Sequence, residues 1–276
     1  MNQGEITHIT GDINFAAIPI RSSSLVLTVL DCSDLLERRD LTGVLLRKLW
    51  FQFPVRRARV VTTISHASRD ELVQMTGISE SRISVIPVAI SRSFRKKAKD
   101  FNKGHPRVLH VGTAQNKNLE RTAAALAGIP CTLVIVGQLS DSQKRALEEN
   151  KISIENYCKI SNDEIIRHYE MADIVSFVST REGFGMPIVE GNSIGRPVIT
   201  SKRSSMPEVA GDAAHLVDPF DVQDIRNGFL RVMNDEAYRH ELVRKGFQNA
   251  KRFDGDQIAR QYLEIYRSMG QKRGTN

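Results

Sequence analysis

From residue 25 onward, short apolar runs bounded by polar or turn-forming residues alternate with longer stretches in which apolar side chains recur every three or four positions. The short runs predict buried strands at 25–30, 60–64 and 83–86, with a helix at 68–75 before the third. A second series opens at Arg107, with strands at 108–111, 132–136, 174–178 and 198–200 and helices at 118–127, 140–150, 162–171 and 185–193. Residues 221–269 are helical in pattern almost throughout. This alternation predicts an α/β protein whose parallel sheets are covered by helices. Between the two series, 92–106 is rich in Lys and Arg, contains Gly and Pro and lacks apolar periodicity, as an interdomain linker does. The expected division is a first domain at 1–91, a linker at 92–106, a second domain at 107–252, and a final helix and tail at 253–276. The first series supplies three or four strands where a doubly wound sheet uses five or six, so the first domain is expected to be incomplete at its front.

Composition narrows the class. The 276 residues are 41% hydrophobic and 26% charged, a globular balance, and no apolar run approaches the roughly 20 residues that cross a bilayer. Met1-Asn2-Gln3-Gly4-Glu5 has neither the basic nor the apolar part of a secretory signal. Cys32, Cys131 and Cys158 are scattered and form no disulfide framework, which fits a reducing cytoplasm. The net charge of +7 lies wholly in the first 107 residues, where 17 Lys and Arg face 10 Asp and Glu. Nucleic acid is not the expected partner, since helix-turn-helix, zinc and aromatic RNA-binding patterns are lacking. Around Arg47, Lys48, Arg56, Arg57 and Arg59, however, Leu45, Leu46, Leu49, Trp50, Phe51 and Phe53 interleave on an expected helix. Two readings stay open: a peripheral contact with anionic lipid at the inner face of the membrane, or a core helix with a solvated basic face.

The most informative stretch is Arg181-Glu182-Gly183-Phe184-Gly185-Met186-Pro187-Ile188-Val189-Glu190, which follows a predicted strand and opens a predicted helix. Such a turn lies at the carboxyl edge of a parallel sheet, where ligands bind. Gly183 and Gly185 remove side chains where a ligand must approach the backbone, and Pro187 suits a first helical turn. The amides of Gly185 and Met186 would face an anion, with phosphate the natural guest. The spacing is neither the dinucleotide fingerprint nor a P-loop. Glu182 and Glu190 bracket the turn. Two acids repel a bare phosphate but suit a ligand that also presents hydroxyls, as a nucleotide sugar does; the alternative is a helix-start acid and a solvated helix glutamate.

The pattern Glu182-x7-Glu190, followed by residues 195–201, 204–214 and 217–219, resembles the donor half of the group 1 (family 4) glycosyltransferases. That resemblance implies a GT-B-like fold of two Rossmann-like domains with parallel sheets, and transfer of a sugar with retained configuration from a nucleotide-diphosphate sugar, GDP-mannose or a UDP-sugar, to a hydroxyl acceptor in polysaccharide or glycolipid synthesis. It implies no cofactor and no metal. Glu182 would bind hydroxyls of the donor sugar, Glu190 the ribose, and the backbone of Gly183, Phe184, Gly185, Met186 and Pro187 the diphosphate. In the segment 111–118, Lys117 would neutralise the leaving group beside Gly112 and Thr113. Asp254-Gly255-Asp256 reads as a helix cap rather than a metal motif.

Three departures bear on activity. Thr113 stands where many members carry a basic residue, and the segment 85–90 replaces the usual Pro-Asn-Gly-Val. Leu30 stands in the place of a histidine that faces the donor sugar, and leucine donates no hydrogen bond. The segment 8–15 also resembles one that members reach only after several strands. A non-catalytic fragment that binds nucleotide sugar or a partner chain is therefore the second expectation, and a nucleotide-sugar epimerase the third. His66, His105, His110 and His168 lack ligand spacing and read as helix-face or strand-end residues; Ser204 and Ser205 read as a helix cap or as the family's donor loop.

Overall fold

The computed structural model describes residues 6–11, 13–32 and 41–271. Met1 to Glu5, which lack secretory-signal character, lie outside the described residues. The chain divides into two units: residues 1–89 with 255–276, and residues 90–254.

In unit 1, β1 (Thr7–Ile9), β2 (Leu25–Val29), β3 (Val60–Thr63) and β4 (Ile83–Val85) form a parallel sheet whose spatial order is the chain order. Helix α1 (Leu41–Arg47) runs through a π-helical turn, Lys48–Gln52, into α2 (Phe53–Arg57), and α3 (His66–Thr76) joins β3 to β4. Ser65 caps α3 by accepting the Ser68 amide, and Gly77 at φ 68° ends it. Ile9, Leu25, Leu27, Val29 and Val61 pack with Ala17, Phe51, Val55 and Leu72 in one core, so the crossovers share one face of the sheet. The other face carries Val26, Thr28 and Thr62, all buried. Here the last helix, Gly255–Gln271, supplies Tyr266, whose hydroxyl shares a 2.6 Å hydrogen bond with His8 Nδ1; His8 Nε2 meets the Thr28 hydroxyl at 2.7 Å, and Thr28 meets Thr62 at 2.6 Å.

In unit 2, β5 (Arg107–Val111), β6 (Thr132–Val136), β7 (Ser153–Tyr157), β8 (Ile174–Phe177), β9 (Val198–Ser201) and β10 (His215–Val217) form a parallel sheet in the order β10-β9-β8-β5-β6-β7. Around it lie α4 (Leu119–Leu126), α5 (Asp141–Glu149), α6 (Asn162–Met171), α7 (Met186–Ile194), α8 (Met206–Ala210), α9 (Val222–Asn234) and α10 (Glu236–Ala250). Capping boxes start two of them: Ser140 with Gln143 at α5, and Ser161 with Glu164 at α6.

The stretch expected as a linker, 92–106, clusters with unit 2. The Lys97 amide donates to the Ile194 carbonyl at 3.1 Å, and Ser193 Oγ donates to the Phe94 carbonyl at 2.7 Å. Buried Asp173 pairs with Lys99 and accepts the amides of Asn102 at 3.0 Å and Arg107 at 2.8 Å. The expected tail does not stand apart either: the last helix belongs to unit 1, through its tyrosines.

Candidate functional site

Chain order reverses in the second sheet between β5 and β8: the chain runs outward from β5 to β7, then returns to place β8 on β5's other side. The loops leaving these two strands therefore diverge from one seam, which is where open α/β sheets take ligands. After β5, Gly112 turns at φ 93° into a 3-10 turn, Gln115–Lys117, and Asn118 at φ 63° redirects the chain into α4. The predicted helix at 118–127 thus begins one residue later. Asn tolerates this left-handed geometry, and its amide group donates to the Val178 carbonyl at 3.1 Å and the Pro219 carbonyl at 2.7 Å.

After β8, Gly185 at φ 114° opens α7 with Pro187 in its first turn, and no side chain caps the helix. The φ of Gly185 is one that L side chains rarely adopt, and a Cβ there would press on Ile188 Cδ1 at 3.1 Å. The loop is tied at both sides. The Thr180 amide donates to the Asn116 carbonyl at 2.8 Å, and Asn116 Nδ2 donates to the Arg181 carbonyl at 2.9 Å. Ser204 Oγ donates to the Glu182 carbonyl at 2.7 Å, and Ser205 Oγ reaches the carbonyls of Glu182 and Phe184 at 2.9 and 2.6 Å. This corrects the capping reading: Ser205 precedes α8 but makes no side-chain cap, because its hydroxyl holds the Glu182–Phe184 backbone instead.

Two of the site residues meet across the seam. Lys117 Nζ donates to Glu182 Oε1 at 2.6 Å, and Asn116 Nδ2 reaches the same oxygen at 3.2 Å. The two side chains are only 23% and 14% exposed. The ammonium also lies 5.0 Å from the centre of the Phe177 ring. The Lys117 stem lies across Gly112, where a Cβ would meet it at 3.0 Å. Asn116 and Phe177 are the partners that sequence reasoning missed; the Asn-Lys-Asn run was the available signal for the first.

Other expected residues are placed differently. Glu190, about one turn into α7, accepts the hydroxyl of buried Tyr169 at 2.5 Å through Oε2, and burial raises its carboxyl above the usual range. Thr113 Oγ1 is committed to the Gln138 carbonyl at 2.7 Å. Phe184 turns inward, edge-on to Phe253; Gly183 is buried, while Met186 and Pro187 are half-buried at the helix start. Among the described residues, no three His, Cys, Asp or Glu side chains are grouped to hold a metal ion. In unit 1, Leu30 lines a cavity of about 570 Å³ with Thr28, Ile64, Tyr262 and Tyr266.

The model of the family described as glycosyl transferases group 1 matches residues 91–249, more than half of the chain. The chain belongs to the group 1 glycosyl transferases. This glycosyl transferase is 27% identical over 235 residues to the O-antigen chain mannosyltransferase B of Escherichia coli, covering 76% of the chain and 61% of that relative. It is 22% identical over 237 residues to the MMP alpha-(1->4)-mannosyltransferase of Mycolicibacterium hassiacum, covering 79% and 57%. It thus spans about three fifths of the length of these relatives. Among solved structures, sucrose-phosphate synthase from Thermosynechococcus elongatus matches with a TM-score of 0.76 at 21% identity, over 90% of this chain and 68% of that one. Anabaena HepE in complex with UDP and glucose matches with a TM-score of 0.73 at 20% identity, over 88% and 71%. The fold is therefore the expected α/β, GT-B-like one, with parallel sheets in both units.

Proposed function

We propose that this chain binds a nucleotide-diphosphate sugar at the β5–β8 seam and transfers the sugar, with retained configuration, to a hydroxyl of a growing polysaccharide or glycolipid. The observation that carries the reading is the Lys117–Glu182 contact beside the uncapped start of α7. A cation, a carboxylate and a helix amino-terminus within one loop pair suit a ligand that is anionic at one end and hydroxylated at the other. Named mannosyltransferases among the relatives favour GDP-mannose as donor, and the UDP complex of HepE keeps UDP-sugars in view. In the transfer, the bond from the anomeric carbon to the diphosphate oxygen breaks while the acceptor oxygen bonds that carbon from the same side; the acceptor proton passes to the departing diphosphate. Lys117 stabilises the charge on the leaving group, which requires it to leave Glu182, and Glu182 is then released to accept sugar hydroxyls. Glu190 offers Oε1 to the ribose, its other oxygen being held by Tyr169. Calorimetry with GDP-mannose, UDP-glucose and an ADP-sugar tests this: at least one binds, and Glu190→Ala weakens it about tenfold or more. Unchanged affinity in that variant refutes the ribose assignment. Proton NMR of the product's anomeric centre tests retention.

Leu30 favours a second reading, binding without transfer, because it gives an apolar cavity a methyl-bearing wall. Donor hydrolysis that stays at background in the chain and rises in Leu30→His supports that reading; hydrolysis by the chain itself removes it.

We also propose a membrane-facing surface. Leu45, Leu49 and Phe53 follow one another at four-residue spacing and are exposed, Phe53 to 62%. Exposed Phe15 lies against Trp50 of the π-helical turn, the ring centres 4.6 Å apart and the planes tilted by 50°, extending the apolar patch. Arg47, Lys48, Arg56 and Arg57 lie on the same segment, a combination suited to anionic lipid.

A further inference from the structure

On the facing strands of the β5–β8 seam, both ring nitrogens of His110 and the hydroxyl of Ser176 are buried without a partner among the described residues; the Ser179 hydroxyl, in the loop just beyond β8, is a further such atom. His110 lies on β5, and Ser176 is its register partner on β8. Each is 1% exposed. Alternation along the strands puts both on the face of Val108 and Ile174, which share a core with Leu119 and Ala123 of α4. The pair therefore sits under the turn 112–118, and that turn carries Lys117. Polar groups at this depth are paired in folded proteins, with protein or with ordered water. Burial drives the imidazole pKa down to about 4; the Lys117 charge lowers it too, and the Gly112 backbone opposes without reaching hydrogen-bond geometry. The ring is thus neutral, with one N–H to donate and one lone pair to offer, and the neighbouring hydroxyl offers one donor and two lone pairs.

We propose that His110 is a positioning residue for Lys117: with Ser176 it seats a buried water beneath the turn 112–118 and braces the turn that presents the ammonium. Its consequence for catalysis rests on the function proposed above; the brace itself does not. The Lys117 stem lies against Gly112, two residues beyond His110, so the backbone that His110 underlies is the one that seats the lysine.

The test uses the full chain with His110→Leu, His110→Asn and Ser176→Ala. In His110→Leu an apolar side chain replaces the unpaired ring, and the melting temperature is expected to stay or rise. Amide exchange across 112–118 nonetheless quickens about tenfold, and affinity for GDP or UDP, whichever the wild type binds, drops about tenfold. His110→Asn, which keeps a donor and an acceptor, restores most of both. Wild-type exchange across 112–118 in His110→Leu overturns the proposal, whatever the melting temperature. Should that variant not fold, Ser176→Ala, which removes one hydroxyl, decides in the same way by the exchange of 112–118. A wild-type chain that binds neither nucleotide removes the proposed function, while exchange still decides the brace.

Discussion

Lys117 and Glu182 satisfy each other at 2.6 Å in a site where both are largely shielded from water. A ligand must replace that ion pair with something equally charged, which a diphosphate does for the lysine and hydroxyl donors do for the acid. Lys117→Ala is therefore expected to cost about 100-fold in kcat for sugar transfer, while the Tm moves by only a few degrees; steady-state kinetics with the preferred donor checks it. His110 sets a separate expectation for pH. Its native pKa near 4 lies below the ordinary 6.5, so the unfolded chain takes up a proton that the folded chain refuses. Stability contributed at neutral pH is lost as pH falls from about 6.5 to 4, by on the order of 3 kcal/mol. Urea titrations across that window should show the slope in the wild type and a flatter one in His110→Leu.

The helix start at α7 depends on Gly185, whose φ of 114° strains any other residue. Gly185→Ala is expected to destabilise unit 2 by roughly 1–3 kcal/mol and to weaken nucleotide binding, read by denaturant melts and calorimetry. The segment from α1 to α2 makes a different prediction. Leu45→Ser with Phe53→Ser should leave the fold intact, because both side chains are exposed, yet abolish most sedimentation with vesicles containing phosphatidylglycerol; equal binding to neutral vesicles, or none by the wild type, would remove the membrane proposal. Most elements were legible because their apolar residues repeat with the right period. β7 was not: Ser153-Ile154-Glu155-Asn156-Tyr157 is an edge strand, half-buried to exposed, and carries no apolar run. β1 has only three residues, too short for periodicity to show. At the site, the glycines and acids stood out by type and spacing, and the resemblance singled out Lys117. The unpaired His110 gave no signal, since a lone histidine in a strand looks the same whether or not it has partners.

At the level of the whole molecule, each unit has its own apolar core: one gathered around Leu27, Phe51 and Leu72, the other around Leu133, Ile174 and Phe229. Two cores of this kind unfold as separate cooperative blocks unless coupled. Urea melts followed by Trp50, the chain's one tryptophan, are expected to report unit 1 alone, with a midpoint different from that seen by far-ultraviolet circular dichroism; coincident curves would show the units unfolding as one. The sequence did not reveal how the last helix is used. Residues 255–271 look like any amphipathic helix, and nothing in their pattern points to His8, more than 240 positions away.

That long return has a consequence for biosynthesis. With its described crossovers on one side, the first sheet meets on its other side a helix translated after every strand of the second sheet. A nascent chain emerging from the ribosome therefore holds an unfinished first half while the later half already has all it needs, so order of translation and order of maturation run in opposite directions. During that interval His8 lacks its tyrosine partner and Thr28 the helix that lines its side of the sheet, and a chaperone would find its natural footing there.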